Sequence, residues 1–254
     1  MQPAPIAASA AAFAGPVVIR DREDVARRRI ILFVALGIAA YVLALLATMP
    51  ASVIFRSQPW RTGVAGTVWN GEVGIAGGSK VQWQMAPLRS LTSLAFAADW
   101  KASGPDTDMG GQMLLHPGGR TVLDHVSGSA DASLLQMLQP NLPFTCDLVM
   151  QVEMARVAVG GANRMLDGTV TTDPGTCRPR GAGAATSVPA LIFTAEHIGN
   201  STRIRIAPMA QRRKVLVDAT LAEDGAIDIG VTPDGAAMLP FLGLPAGMRV
   251  QGQM

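Results

Sequence analysis

Between Arg27-Arg28-Arg29 and Pro50 lies IILFVALGIAAYVLALLATM, a run of 20 residues without a charged side chain. An α-helix rises 1.5 Å per residue, so about 20 residues cross a hydrocarbon core of roughly 30 Å. In lipid a helix satisfies its own backbone N–H and C=O groups, so one such run spans alone. The expected transmembrane helix covers residues 30–49, and Pro50 ends it because proline cannot continue a helix.

The flanks give a direction. Arg20, Arg22, Arg27, Arg28 and Arg29 precede the span, and only Arg56 and Arg61 follow it closely. Positive residues stay on the cytoplasmic side. The expected topology is a single-pass protein of the cell inner membrane, with a cytoplasmic leader (residues 1–29) and a periplasmic body (residues 50–254). A cleaved signal peptide is the competing reading. Its apolar region is usually about 7–15 residues, so the longer run behind a leader of this length favours an uncleaved anchor. Residues 1–19, rich in Ala and Pro, read as disordered.

The chain has 254 residues and a formal net charge of +2. The leader holds five arginines against Asp21, Glu23 and Asp24, which accounts for that excess and leaves the body neutral. Nucleic-acid binding needs a concentrated basic face, so no nucleic-acid partner is expected. The body holds the two cysteines, Cys146 and Cys177. In an oxidising compartment paired cysteines usually bridge. A zinc site or a catalytic thiol lacks supporting residues, since His116, His125 and His197 are widely scattered. The expected disulfide would contribute roughly 3–4 kcal/mol in the chain-entropy picture.

After Pro50 the text alternates short Val/Ile/Thr-rich runs with Gly, Asn and Asp turns. Residues 61–69 read as a strand turned by Asn70-Gly71, a favoured hairpin pair. Val81-Gln82-Trp83-Gln84-Met85 alternates as a half-buried strand does. Further strands are expected over 94–100, 112–115, 147–159 and 164–171. Two hairpins follow, 191–196 with 203–207 and 214–221 with 226–231, and a last strand lies near 248–251. Short helices are expected at 87–93 and at 133–138, the latter capped by Ser133 and stopped by Pro140. The Pro-broken apolar segment 236–246 reads as a short helix and a turn. The fold class is therefore mainly β: one transmembrane helix, then an antiparallel, curved meander or sandwich with one or two short helices. Gly66-Thr67-Val68 echoes Gly168-Thr169-Val170, which raises two related halves or a chance match.

No catalytic constellation stands out. The glycine-rich pieces lack the context of a phosphate loop. No serine occupies a nucleophile elbow. Asp124 and His125 are neighbours on a strand and point to opposite faces. The reading is no enzyme, no cofactor and no metal site. Arg212-Arg213-Lys214 reads as a solvated hairpin end or guarded edge, with lipid headgroups as the sharper alternative. Trp60, Trp69, Trp83 and Trp100 read mainly as packing residues, while an exposed Trp69 or Trp83 would make a partner contact.

A short leader, one span, a proline, and then Gly66-Thr67-Val68-Trp69-Asn70-Gly71 followed by Val81-Gln82-Trp83 resemble the type II secretion system protein N family (general secretion pathway protein N). The resemblance covers the span and roughly the first 100 residues. It implies a non-enzymatic inner-membrane component of the machine that moves folded proteins from the periplasm across the outer membrane. Its partners would be other inner-membrane subunits of that apparatus, and Cys146 and Cys177 fit a periplasmic disulfide. The competing expectation is an envelope lipid-handling protein, suggested by the apolar alternation Leu148, Met150, Val152, Met154. A continuous open apolar groove would mark the lipid protein, and a filled core the adaptor. An anchored hydrolase ranks below both, because no nucleophile and base can be named.

Overall fold

The computed structural model describes residues 20–53, 61–75, 78–132, 142–181 and 183–253, with side chains from Ala26 onward. The disorder expected over 1–19, the helix expected over 133–138 and Trp60 lie outside the described residues. The chain divides into two compact units at Met49–Pro50, taken here in turn.

The first unit holds α1 (Arg20–Ala47). Its segment Ala26–Ala47, 22 residues, is long and apolar enough to cross a membrane by length and composition. The helix begins at Arg20, inside the expected leader. It ends before Pro50, where the Thr48 hydroxyl donates to the Ala44 carbonyl at 2.8 Å and satisfies one of the last free acceptors.

The second unit is β structure. Among the described residues its strands are β1 (Arg61–Gly66), β2 (Asn70–Ile75), β3 (Lys80–Met85), β4 (Phe96–Gly104), β5 (Thr107–Leu115), β6 (Thr121–Asp131), β7 (Phe144–Asp147) and β8 (Val149–Val159). They continue as β9 (Met165–Thr172), β10 (Gly175–Pro179), β11 (Thr186–Val188), β12 (Leu191–Ile198), β13 (Ser201–Pro208), β14 (Val217–Ala222), β15 (Ala226–Val231) and β16 (Arg249–Gln253). Among the described residues two short α-helices interrupt them, α2 (Pro87–Ser93) and α3 (Pro233–Met238). Thirteen strands form one antiparallel sheet in near-sequential order, β1-β2-β3-β4-β5-β6-β8-β9-β12-β13-β14-β15-β16, while β7, β10 and β11 leave it to form a second sheet of three. The expected mainly β meander is therefore the fold.

Register gives the large sheet two chemically distinct faces. One cross-strand row runs Val64, Val73, Val81, Ala102, Met109, Gly128, Val152, Val170, Phe193, Ile206, Val217, Val231, each paired with the next. At roughly 4.8 Å between strands, the row is about 50 Å long. The neighbouring row, on the opposite face because successive side chains alternate, reads Glu72, Gln82, Lys101, Gly110, Ser127, Glu153, Thr169, Thr194, Arg205, Asp218, Gly230.

The register shifts at three places among the described strands, one at Thr62 in β1 and two in the middle of the sheet. His125 (φ 53°) is the extra residue of a bulge in β6, and Ala155 is the extra residue in β8. Bulges increase local twist and turn the strand. Each is met by a glycine across the ladder. A Cβ at Gly111 would lie 3.1 Å from the Asp124 carbonyl oxygen, and one at Gly168 would lie 2.5 Å from Met154 Cα.

The second layer lies over the C-terminal end of the apolar face. Cys177 and Val188 of the small sheet share a buried cluster with Leu216, Val217, Val231, Leu239 and Phe241. Phe144 meets Phe241 edge-on at 5.1 Å, a favoured aromatic arrangement. Helix α3 starts at Pro233, behind Thr232, whose hydroxyl accepts from the Gly235 N–H at 3.0 Å and donates to the Val215 carbonyl at 2.9 Å.

The expected turn at Asn70-Gly71 is corrected. Thr67 N–H donates to the Asn70 carbonyl at 2.9 Å, and Asn70 N–H returns to Thr67 at 3.3 Å. The loop residues are thus Val68 and Trp69, and Asn70-Gly71 opens β2. Gly71 is needed in the ladder: a Cβ there would lie 2.5 Å from the Trp83 ring.

Candidate functional site

The motif GTVWNG builds one small unit with the next two strands. Across the sheet, Gly66 pairs Gly71, Gly71 pairs Trp83, Trp83 pairs Trp100, and Trp100 pairs Gly111. Glycines on both sides leave room for the two indoles on the apolar face. Trp83 Nε1–H donates to the Val68 carbonyl at 2.9 Å, tying the hairpin tip to β3. Trp69, at that tip, packs its ring 6.1 Å from Phe96. Trp69 and Trp83 are both half-buried and packed within the chain. The pairing of Trp83 with Trp100 was missed in the sequence, although Val81/Met85 and Ala98/Ala102 share their alternation.

Beside these residues an open groove of about 560 Å³ runs along β1–β4, lined by Trp83 and Trp100 together with Glu72, Gln82, Asp99 and Lys101. Gln82 donates to Glu72 at 2.6 Å and Lys80 approaches it at 3.4 Å. The Gln82 hydrogen bond first, then Lys80, hold the Glu72 carboxyl below the usual carboxylate range.

Helix α2 carries a feature that sequence reading passed over. Ser90 Oγ accepts from the Ala97 N–H at 2.9 Å, and Arg89 pairs with Asp99 at 2.6 Å. These ties hold its polar side to β4. Leu88 and Leu91 of the helix and Leu94 at its left-handed C-cap, spaced three apart, are left 79 %, 74 % and 82 % exposed. The usual helix buries its apolar stripe; this one turns it outward. The spacing Leu-x-x-Leu-x-x-Leu was the available signal.

At the other end, Cys146 and Cys177 sit opposite one another on β7 and β10, Cα atoms 4.1 Å apart, and form the expected disulfide. Behind it lies a cavity of about 420 Å³ between the two sheets. Its floor is the apolar face of β8, β9, β12 and β13, and its walls are the disulfide, Phe144 and Phe241. The one polar side chain among the described lining residues, Thr172, already accepts from the Leu191 N–H at 3.0 Å.

The remaining sequence candidates are structural in their surroundings. Asp124 does not face a histidine; it accepts two hydrogen bonds from Arg156, at 2.6 and 3.4 Å. That contact holds the Arg156 guanidinium above its ordinary value. His197 Nδ1 lies 3.3 Å from the buried Thr202 hydroxyl. Lys214 pairs with Asp234 at 3.0 Å, beside the exposed Arg212 and Arg213. Among the described residues no group of three or more His, Cys, Asp or Glu could hold a metal ion. No family model, no curated protein and no solved structure matches the chain.

Proposed function

We propose that this chain is a non-enzymatic, single-pass component of the inner-membrane part of the type II secretion apparatus, with its β unit in the periplasm. The resemblance of residues 66–71 and 81–83 to the protein N family suggests the apparatus. The observation that carries an assembly role is α2: three leucines on an outward face, held by a polar underside, form a surface suited to another protein. Exposed apolar stripes of this kind mark interaction sites. The partner is another inner-membrane subunit of the same machine, with Trp69 and Trp83 bracing the neighbouring hairpin.

A photo-crosslinker at Leu91 in intact membranes tests this. The expected adduct contains a second secretion subunit. Leu91→Asp removes the adduct and reduces export, with the thermal midpoint unchanged. Adducts to no secretion subunit, or full export in the absence of the chain, would defeat the reading. An alkaline phosphatase fused at the C-terminus is expected to be active, and activity only in the cytosol would reverse the topology.

The second reading, envelope lipid handling, is favoured by the apolar row and by the cavity between the sheets. Lipid bound at the apolar face of full-length protein supports it; a lipid-free β unit in lipid vesicles counts against it.

A further inference from the structure

We infer that the cavity between the two sheets takes up a single acyl chain of a membrane lipid. The inference rests on the lipid-handling reading and deepens it by naming the place and the ligand.

Folded interiors hold few voids larger than a water molecule. A cavity of about 420 Å³ falls in the roughly 300–1,000 Å³ range of small-molecule sites. Water is a poor occupant, because a buried water needs two to four polar partners. Among the described residues Thr172 is the only polar side chain in the lining, and its oxygen is engaged by Leu191. The occupant must therefore be apolar where it touches Met150, Val152, Val170, Phe193 and Phe241.

Two further observations point to an acyl chain rather than a compact apolar molecule. The floor residues Val152, Val170, Phe193 and Ile206 belong to the long apolar row, which continues out of the cavity through the half-buried Gly128 and Met109. A linear ligand would thus find an apolar path leading away from the site along the same face. The same chain carries a helix long and apolar enough to lie in lipid, which keeps acyl chains at high local concentration. The Cys146–Cys177 bridge closes one wall of the site and fixes its roof across β7 and β10.

The test uses the full chain in phosphatidylcholine vesicles containing a phospholipid with a diazirine on one acyl chain. After irradiation, labelled peptides are mapped by mass spectrometry, with α1 as the reference in the bilayer. Label is expected in the peptides of β8, β9 and β12. Val170→Phe fills the cavity and is expected to cut that label at least fivefold, with α1 label and the disulfide unchanged. Val152→Leu is a gentler second filling variant and is expected to cut it about twofold. Label confined to Val81, Trp83 and Trp100 on β3 and β4 would overturn the cavity site while leaving lipid handling in place. Label on α1 alone would overturn both. Label in β8–β12 that neither variant reduces would also overturn the site.

Discussion

At the C-terminal end of the large sheet, Leu216 and Leu221 are at most 1 % exposed, as is Val188 of the small sheet packed on it; at the N-terminal end, the residues buried as fully on β4 are the small Ala97 and Ala98. Both ends carry the same alternation of apolar and polar residues. Among the described residues they differ in whether a second layer covers the apolar face. Around β12–β15 the strands β7, β10 and β11, with α3, close over the apolar face. Around β2–β5 the apolar face keeps Trp83 and Trp100 half-buried, and α2 sits on the other face with its leucines outward. Alternation thus specifies which face is apolar, and the excursions of the chain decide which part of that face becomes core. Among the described residues the C-terminal end is packed under a second layer, and the N-terminal end keeps its indoles half-buried.

The strongest way to break this comparison is to remove the staple. Cys146→Ala with Cys177→Ala is expected to cost about 3–4 kcal/mol, on the order of 10 °C in thermal midpoint for a chain of this size. Hydrogen exchange should rise in β7, β10 and β11 and stay unchanged in β2–β4. Equal loosening of both ends would erase the distinction. Leu216→Ala comes next, at about 3 kcal/mol, because a fully buried leucine leaves a cavity. Its counterpart Val81→Ala, on the half-covered face, should cost about 1 kcal/mol in the same denaturant titration. Matching losses would mean that the N-terminal face is as tightly enclosed.

Gly71→Ala sharpens the description of the tryptophan unit. Its new methyl meets the Trp83 ring and the Ala65 and Thr67 carbonyls, so about 2 kcal/mol is expected, as for overpacking. A shift in tryptophan emission should accompany the loss, and Trp83→Leu in the same chain should recover part of it. The smallest effect is at Glu72. Its carboxyl is held low in the folded chain, so its contribution is present above the ordinary carboxylate value of 4.5 and fades as pH falls through the lower folded value. Gln82→Ala should raise the Glu72 titration midpoint, followed by carboxyl NMR. An unmoved midpoint would assign the effect to Lys80.

Much of the fold was legible where residues alternate cleanly. Lys80–Met85, the two C-terminal hairpins and α2 lie where the pattern puts them. Strand β6 was not read, because Asp124, Ser127, Gly128, Ser129 and Asp131 dilute its apolar content and the bulge at His125 breaks its period. Strand β10 was hidden by Pro174-Gly175 on one side and Pro179 on the other. The Asn70-Gly71 pair follows local turn chemistry that the tertiary need for a glycine beside Trp83 overrides. The disulfide was legible from composition and compartment. The outward leucines of α2 were visible as a spacing, but nothing in the sequence says that Ser90 and Arg89 would hold the polar side down. The cavity was not legible, since it depends on three strands leaving the main sheet.

The near-sequential strand order has a consequence for how the chain comes together. Each of β2 to β6 finds its hydrogen-bonding partner in the strand made just before it, so ordering advances like a zip from the amino end with small loop-closure losses. Only when the strands that bear the cysteines fold across does distant sequence have to meet. The sulfur bridge joins residues 31 apart, outside that neighbour-by-neighbour order, so a chain halted before oxidation should already hold its early hairpins in native register.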